Sequence, residues 1–466
     1  MITRDLAAWV AELSFDDIPS NVVERVKLIL TDIVGIMVRA RNDSESTPPL
    51  VEALSDLDLN GGRFHVIGSP ETWAALGAVR LNATDAHSIE LDDTYSQRGL
   101  HTSCVVVPAA LAAAELVGAS GRELLTGIVA GQETMCRVGL GLGQRSSRGF
   151  HSTPVSGAFG ATAAAARILG LSAQQAEHAF GIVLSETSGN MQFHSNGAWT
   201  KRSQIGHASA SGFTAAVLAS HDYTGPAEAL EGSAGLFRLY GDAPAPDLVT
   251  RELGKSWEIL QIAFKPHAAC RGTHAAIDAA IAIRDEESVD FDSIDRVEVG
   301  LPRAPLDLIG LLAEPEAAKR EPVTTVDGQF SIYFCVSVAL RLGRLGWDDY
   351  KTQFRDPRIR ELMQRTSVYE DTRAVPIRRG SAAGSVRVWL RDGRSYERLV
   401  TTPKGEPERM LSTEELHTKF SSLARPFLGP AREGRLFETL MRLDLEASLD
   451  TLWEYATPPV AVSAAR

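Results

Sequence analysis

With 466 residues, 44% of them hydrophobic and 23% charged, the chain has the composition of a globular protein of two or three domains, or of one large core with an inserted domain. Its formal net charge of −12 excludes the basic face of a nucleic-acid binder, and no run approaches the about 20 apolar residues that a membrane span needs. Cys104, Cys136, Cys270 and Cys335 lie far apart with no C-x-x-C pair, so they read as reduced thiols of a cytoplasmic protein, not as a disulfide framework or a zinc site.

The first residues, MITRDLAAWVAELSF, carry charge early and repeat at helical spacing, which fits neither a signal nor a transit peptide. Thr3 is placed to cap a helix whose Leu6, Trp9, Val10 and Leu13 share a face. Ser20 is placed to cap a second helix, apolar nearly all round, that runs to Ala40. Residues 42–49 read as a polar surface loop, 49–56 as a helix and 63–68 as a short apolar link. From 72 to 240 alanine, glycine and serine fill helix-length segments at 107–117, 122–138, 156–169, 173–186 and 203–219. Small residues let helix backbones approach closely, which predicts a compact helical domain with loops at 87–101, 139–151 and 187–201 open for chemistry. Past Ile262 the period changes. Residues 293–302 alternate, and 384–390 and 396–401 flank Arg391-Asp392-Gly393-Arg394, a hairpin signal, with helices at 273–284 and 331–342. After Pro403 helices return at 414–423, behind Ser412, and at 432–449, and the last residues are expected to fray. The fold class expected is two-domain: a large all-α domain, 1–265 and 408–466, and a smaller α+β lid domain, 266–407, inserted before the C-terminal helices.

Residues 85–104, DAHSIELDDTYSQRGLHTSC, crowd Asp85, His87, Glu90, Asp92, Asp93, Tyr95, Arg98 and His101 between two apolar segments. Titratable groups there must be solvated, paired or used, and two histidines beside a tyrosine and an arginine favour a site. A metal held by Glu90, Asp92, Asp93 and His101 is set aside, because dense carboxylates are more often solvated, and no metal is predicted. Gly139, Gly141 and Gly143 fail the dinucleotide fingerprint, since Gln144 follows and no strand precedes, and they read as a flexible helix exit. Phosphate-loop, H-E-x-x-H and G-x-S-x-G motifs are missing from the sequence. Three further clusters stand at element ends. Residues 148–154 set His151 at the mouth of a helix that Ser152 or Thr153 would cap, where N–H groups favour a carboxylate. Residues 199–207 pair Lys201 with Arg202, and 264–274 bring Lys265 and Arg271 to the domain boundary. Lys201, Arg202, Lys265 and Arg271 together predict a positive pocket for a small-molecule polycarboxylate.

Taken in order, Asp92-Asp93-Thr94 with His101, Gly149-Phe150-His151-Ser152-Thr153, Thr200-Lys201 before Gly206, Phe264-Lys265-Pro266 through Cys270-Arg271 to His274, and DGQFSIYFC at 327–335 resemble the MmgE/PrpD family over nearly the whole chain. That family includes 2-methylcitrate dehydratase, cis-aconitate decarboxylase and iminodisuccinate epimerase. The resemblance implies a helical domain with an α+β lid, a homodimer, and a site between the domains that works without a cofactor. The chain departs from the family's Asp-aromatic-Asp/Asn-Asp-Thr at Glu90-Leu91, has Thr102 where proline commonly follows the histidine, and reads Ser331-Ile332-Tyr333-Phe334 for the usual Ser-Leu-Pro-Tyr. A dehydratase must protonate a leaving hydroxyl, so a displaced tyrosine counts against dehydration. Among the members the chain looks most like iminodisuccinate epimerase, which implies proton abstraction and return at an α-carbon. Dehydration of a 2-hydroxy tricarboxylate such as 2-methylcitrate is the alternative, and a non-catalytic polycarboxylate binder a third. In the epimerase scheme His101 and Lys201 exchange the proton from opposite faces, with His151 in reserve, and Asp93 orients a neighbouring cation. Arg202, Lys265, Arg271 and Tyr333 meet the substrate.

Overall fold

The computed structural model describes residues 1–143, 149–195, 197–306, 319–378 and 380–458. Arg148 and the tail expected to fray beyond 458 lie outside them. The first half is helical: α1 (Ile2–Glu12), α2 (Ser20–Asp43), α3 (Thr47–Asp56), α4 (Ala75–Ala86), α5 (Ser103–Val117), α6 (Gly121–Gly141), α7 (Ser152–Ile168), α8 (Ala173–Leu184) and α9 (Thr200–Ser220). The alanine- and glycine-rich texture explains the packing. A Cβ on Gly131 of α6 would lie 2.7 Å from the Gly160 carbonyl of α7, and one on Gly212 of α9 would lie 2.7 Å from the Ala158 carbonyl, so these backbones nearly touch. Gly139 and Gly141 belong to the same logic, not to a flexible exit: added Cβ atoms would meet Leu100 at 2.6 Å and Val249 at 2.7 Å.

Several expectations about the start of the chain are corrected, among them the cap at Ser20, which is the first residue of α2 with Pro19 in the cap position. Thr3 lies inside α1, where its hydroxyl donates to Glu231 2.5 Å away instead of capping the helix. Residues 42–49 are no surface loop, since α2 continues to Asp43 and Ser44, Ser46 and Thr47 are buried. The first half of the apolar link at 63–68 belongs to β1 (Asn60–His65), which pairs with β2 (Thr72–Trp73).

The alternating segments form a mixed four-stranded sheet in the order β4-β3-β5-β6, from β3 (Ile294–Leu301), β4 (Thr366–Glu370), β5 (Gly384–Leu390) and β6 (Ser395–Val400). The Asp392-Gly393 turn joins β5 to β6, with Gly393 at φ 92°. The edge strand β4, parallel to β3, escapes the sequence pattern because it is half exposed and only five residues long. Helices His274–Glu286 and Ile332–Leu342 accompany the sheet. The C-terminal helix Thr413–Met441 bends at Gly429 (φ 76°) between Pro426 and Pro430 and packs along α2, where a Cβ on Gly35 would lie 2.8 Å from Phe420. Among the described residues no helix is long and apolar enough to cross a membrane.

Candidate active site

Three loops singled out in the sequence are laced together by main-chain bonds. Thr94 exchanges amide hydrogen bonds with Ala263, 2.8 and 2.9 Å long, which brings the 90–94 stretch beside Lys265. The His151 amide donates to the Gly189 carbonyl at 3.2 Å, tying α7 to the loop before α9 and hence to Lys201. Tyr95 and Leu100 close a small hairpin through Gly99 at φ 64°, which turns the chain back so that His101 returns beside Asp93.

Within this frame the acidic run divides its work. Asp93 is buried, and its carboxylate accepts from the Thr102 and Ser103 amides at 3.2 and 3.1 Å and from their hydroxyls at 2.9 and 2.5 Å. It therefore serves the amino end of α5, where an anion is favoured, instead of orienting a side-chain cation. That second role falls to Asp92, whose Oδ2 lies 2.7 Å from His87 Nδ1 and 3.2 Å from His101 Nδ1. Burial by itself would raise the Asp92 carboxyl, but His87, His101 and Lys265 outweigh it and hold it well below the usual carboxylate range. Burial pushes His87 well below its ordinary value, against the pull of Asp92. His101 Nδ1 has a second acceptor, the Asp93 carbonyl at 2.9 Å, so this nitrogen is assigned the proton.

Glu90 stands at φ 54°, in the left-handed region, and its carboxylate bridges two lysines. Lys201 contacts Oε1, and Lys265 Nζ lies 3.1 Å from Oε2 and 4.0 Å from Asp92 Oδ1. Burial, reinforced by repulsion from Lys265 and then Arg202, pushes the Lys201 ammonium well below its usual value. Burial lowers Lys265 as well, against the pull of Asp92. His151 starts α7, with Nδ1 3.1 Å from Gln204 Oε1 of α9, and its ring lies 6.5 Å from that of His87. The Thr153 hydroxyl accepts from the His101 amide at 3.2 Å, so it positions that histidine instead of capping α7.

Several of these groups line a cavity of about 800 Å³, large enough for a small polycarboxylate. Glu90, Thr94, His101, His151 and Lys201 face it from the helical part, Arg271 and Ser381 from the part that carries the sheet. Of the predicted site residues, His101, His151 and Lys201 are thus brought together, with Lys265 fully buried behind Glu90.

The others are employed elsewhere. Arg202 donates to the Ser46 hydroxyl at 2.7 Å and reaches Ser44 at 3.4 Å, anchoring α9 to the buried turn between α2 and α3, and burial pushes its guanidinium down to about 10. Arg271 borders the cavity, but its guanidinium is taken up by Glu406 at 2.6 Å and by the Phe264 and Lys404 carbonyls. Tyr333 is buried in the helix Ile332–Leu342 under the Arg320 guanidinium, 4.3 Å from the ring centre, and does not line the cavity. Tyr95 donates to Glu258 at 2.6 Å, away from the histidines.

Among the described residues one group has metal-ligand spacing: His87, Asp92 and Cys104. Burial, Asp92 and Asp93 push the Cys104 thiol well above its ordinary value, so it stays protonated and is a poor metal ligand.

Residues 4–248 match the MmgE/PrpD N-terminal domain and residues 267–445 the MmgE/PrpD C-terminal domain. The chain belongs to the MmgE/PrpD family. Among its MmgE/PrpD relatives, a cis-aconitate decarboxylase-like protein of Aspergillus oryzae is 30% identical over 97% of this chain and 96% of its own length. A cis-aconitate decarboxylase of Aspergillus terreus is 26% identical over 98% and 96%, and that of Homo sapiens 26% identical over 99% and 96%.

The sequence reasoning singled out the stretch that carries His87, Glu90 and Asp92 but gave none of the three a role in the array. Glu90 had a signal, the departure from the family's aspartate. Asp92 and Asp93 carried none to separate them, because adjacent residues in an extended loop point to opposite sides.

Proposed function

We propose that this MmgE/PrpD protein is a cofactor-independent lyase acting on a tricarboxylate, and that decarboxylation of a cis-aconitate-like substrate is its reaction. The observation that carries this reading is the meeting of Lys201, His101 and His151 on the wall of one cavity, with Lys265 behind Glu90. In such a reaction one carbon–carboxylate bond breaks and carbon dioxide leaves. The electron pair passes through the neighbouring double bond, and one proton is taken up at carbon. Lys201, with its lowered ammonium, and His101, held by Asp92, are the proton carriers of this scheme, and their cationic forms steady the remaining carboxylates.

The names of the relatives favour this chemistry over the iminodisuccinate epimerisation expected from the sequence, for which they offer no support. Dehydration of a 2-hydroxy tricarboxylate would use the same lysine as acid toward the leaving hydroxyl. The proposal includes a homodimer, and a division into a helical body, 1–265 and 408–466, and an α+β lid, 266–407. The packing of the C-terminal helix on α2 and the confinement of β3–β6 to 294–400 support that division.

The test is incubation of the chelator-dialysed protein with cis-aconitate, 2-methylcitrate and iminodisuccinate in D₂O. Carbon dioxide release from cis-aconitate, with deuterium at carbon in the product, is the expected result. New alkene absorption from 2-methylcitrate would make it a dehydratase, and α-deuteration of iminodisuccinate without carbon dioxide an epimerase. Lys201→Ala is expected to lower kcat/KM about 100-fold, and near-normal activity in that variant would remove Lys201 from the chemistry.

A further inference from the structure

We propose that Lys419, backed by Asp32, is a positioning residue of the active site, gripping from behind the peptide that separates Glu90 from Asp92. Lys419 belongs to the C-terminal helix Thr413–Met441 and does not line the cavity. Its Nζ donates to the Leu91 carbonyl at 2.8 Å and lies 2.7 Å from Asp32 Oδ1, in the middle of α2. Both side chains are buried, with 9% and 3% of their surface exposed.

A buried ion pair between two packed helices is an expensive way to join them, since an apolar pair of similar volume serves as well or better. The Leu91 carbonyl supplies a reason for it. Leu91 carries the turn that sends Glu90 toward Lys201 and Lys265 and Asp92 toward His87 and His101. The turn is strained: a non-glycine residue at φ 54° persists only where its surroundings over-determine it. Three restraints do so here. The lysines hold the Glu90 carboxylate, the Ala263 bridge holds Thr94, and Lys419 holds the carbonyl between them. Burial pushes Asp32 up to about 6 and lowers Lys419, in each case against the pull of the other. The ammonium also faces the Asp92 carboxylate and the Lys265 cation, which couples the C-terminal helix electrostatically to the site.

The activity arm of this inference rests on the lyase reading above, and the exchange arm does not. The full chain is compared with Lys419→Met and Lys419→Arg by amide hydrogen exchange of the peptide covering 88–95 and by cis-aconitate turnover. In Lys419→Met, exchange in that peptide is expected to rise about tenfold with α6 unchanged. In the same variant kcat is expected to fall about tenfold with KM within about threefold, because Lys419 touches no substrate. Lys419→Arg, which keeps a charged donor, is expected to recover kcat to within about fivefold. Unchanged exchange overturns the proposal, and so does faster exchange with kcat within about twofold, which would leave an ordinary packing pair. If Lys419→Met does not fold, Asp32→Asn carries the same two readouts. A parent chain inactive on every polycarboxylate would sink the lyase reading, and the exchange arm alone would then decide whether Lys419 holds the loop.

Discussion

At Glu90 a carboxylate on left-handed backbone bridges Lys201 and Lys265, and in the lyase proposed above it would compete with a substrate carboxylate for Lys201. Removing its charge while keeping its shape exposes Lys201 to the cavity without a resident counter-ion. Glu90→Gln is therefore expected to bind tricarballylate, an unreactive tricarboxylate, about threefold to tenfold more tightly at low salt, measured by calorimetry. Equal or weaker binding would show that Glu90 does not compete with the ligand. The same scale explains which assignments went astray. Charge and proximity in the sequence nominated Arg202 and Arg271 as carboxylate holders, yet Ser44, Ser46 and Glu406 already occupy their guanidiniums. Nothing local in a sequence distinguishes an arginine committed to its own fold from one that waits for a ligand.

At the scale of elements, the site depends on how closely α9 approaches α4. A Cβ on Gly206 would lie 2.5 Å from the Thr84 hydroxyl and 3.0 Å from the Arg80 carbonyl, so the glycine sets the distance at which α9 presents Lys201 to Glu90. Gly206→Ala is expected to cost about 1–3 kcal/mol of stability through overpacking, read from urea unfolding. It is also expected to lower kcat about tenfold as Lys201 is displaced, and a variant with parental kcat would show that this spacing is not needed. The helix-forming content of α5 to α9 was legible because alanine-rich segments have a local preference that packing does not contradict. The function of their glycines was not legible, since a glycine in a helix looks like a weakness until the backbone opposite it is known. This is why Gly139 and Gly141 read as a flexible exit and proved to be contact points.

For the molecule as a whole, the cluster of buried titratable groups should leave its mark on stability against pH. Asp85 accepts from the Thr47 hydroxyl at 2.6 Å at the α3–α4 contact, and burial pushes its carboxyl up to about 6 from an ordinary 3.8, against Arg41 and Arg202. A raised carboxyl means that the folded state holds the proton better than the unfolded state does. The stability it contributes is full below the unfolded value and is lost as pH rises through about 6. Asp85→Asn removes this dependence. The unfolding free energy of the variant relative to the parent is expected to rise by up to about 3 kcal/mol between about pH 4 and pH 7.5, measured by urea titration. A difference that stays flat, or falls with pH, would show that Asp85 titrates normally in the fold.

From local pattern alone the chain could be read as a helical front half, an α+β stretch with a hairpin at Asp392-Gly393, and a helical return at the end. It also yielded the loops that carry His101, His151 and Lys201. These features are legible because helix and strand periods, turn residues and small-residue texture act over a few positions. Tertiary structure alone decided which of Asp92 and Asp93 faces the histidines and that Lys265 lies behind Glu90. It likewise decided that Lys419 reaches the same loop from the last long helix. The partners of each of these residues come from elements remote in sequence, and the strength of a charge depends on burial and neighbours that exist only once those elements have packed.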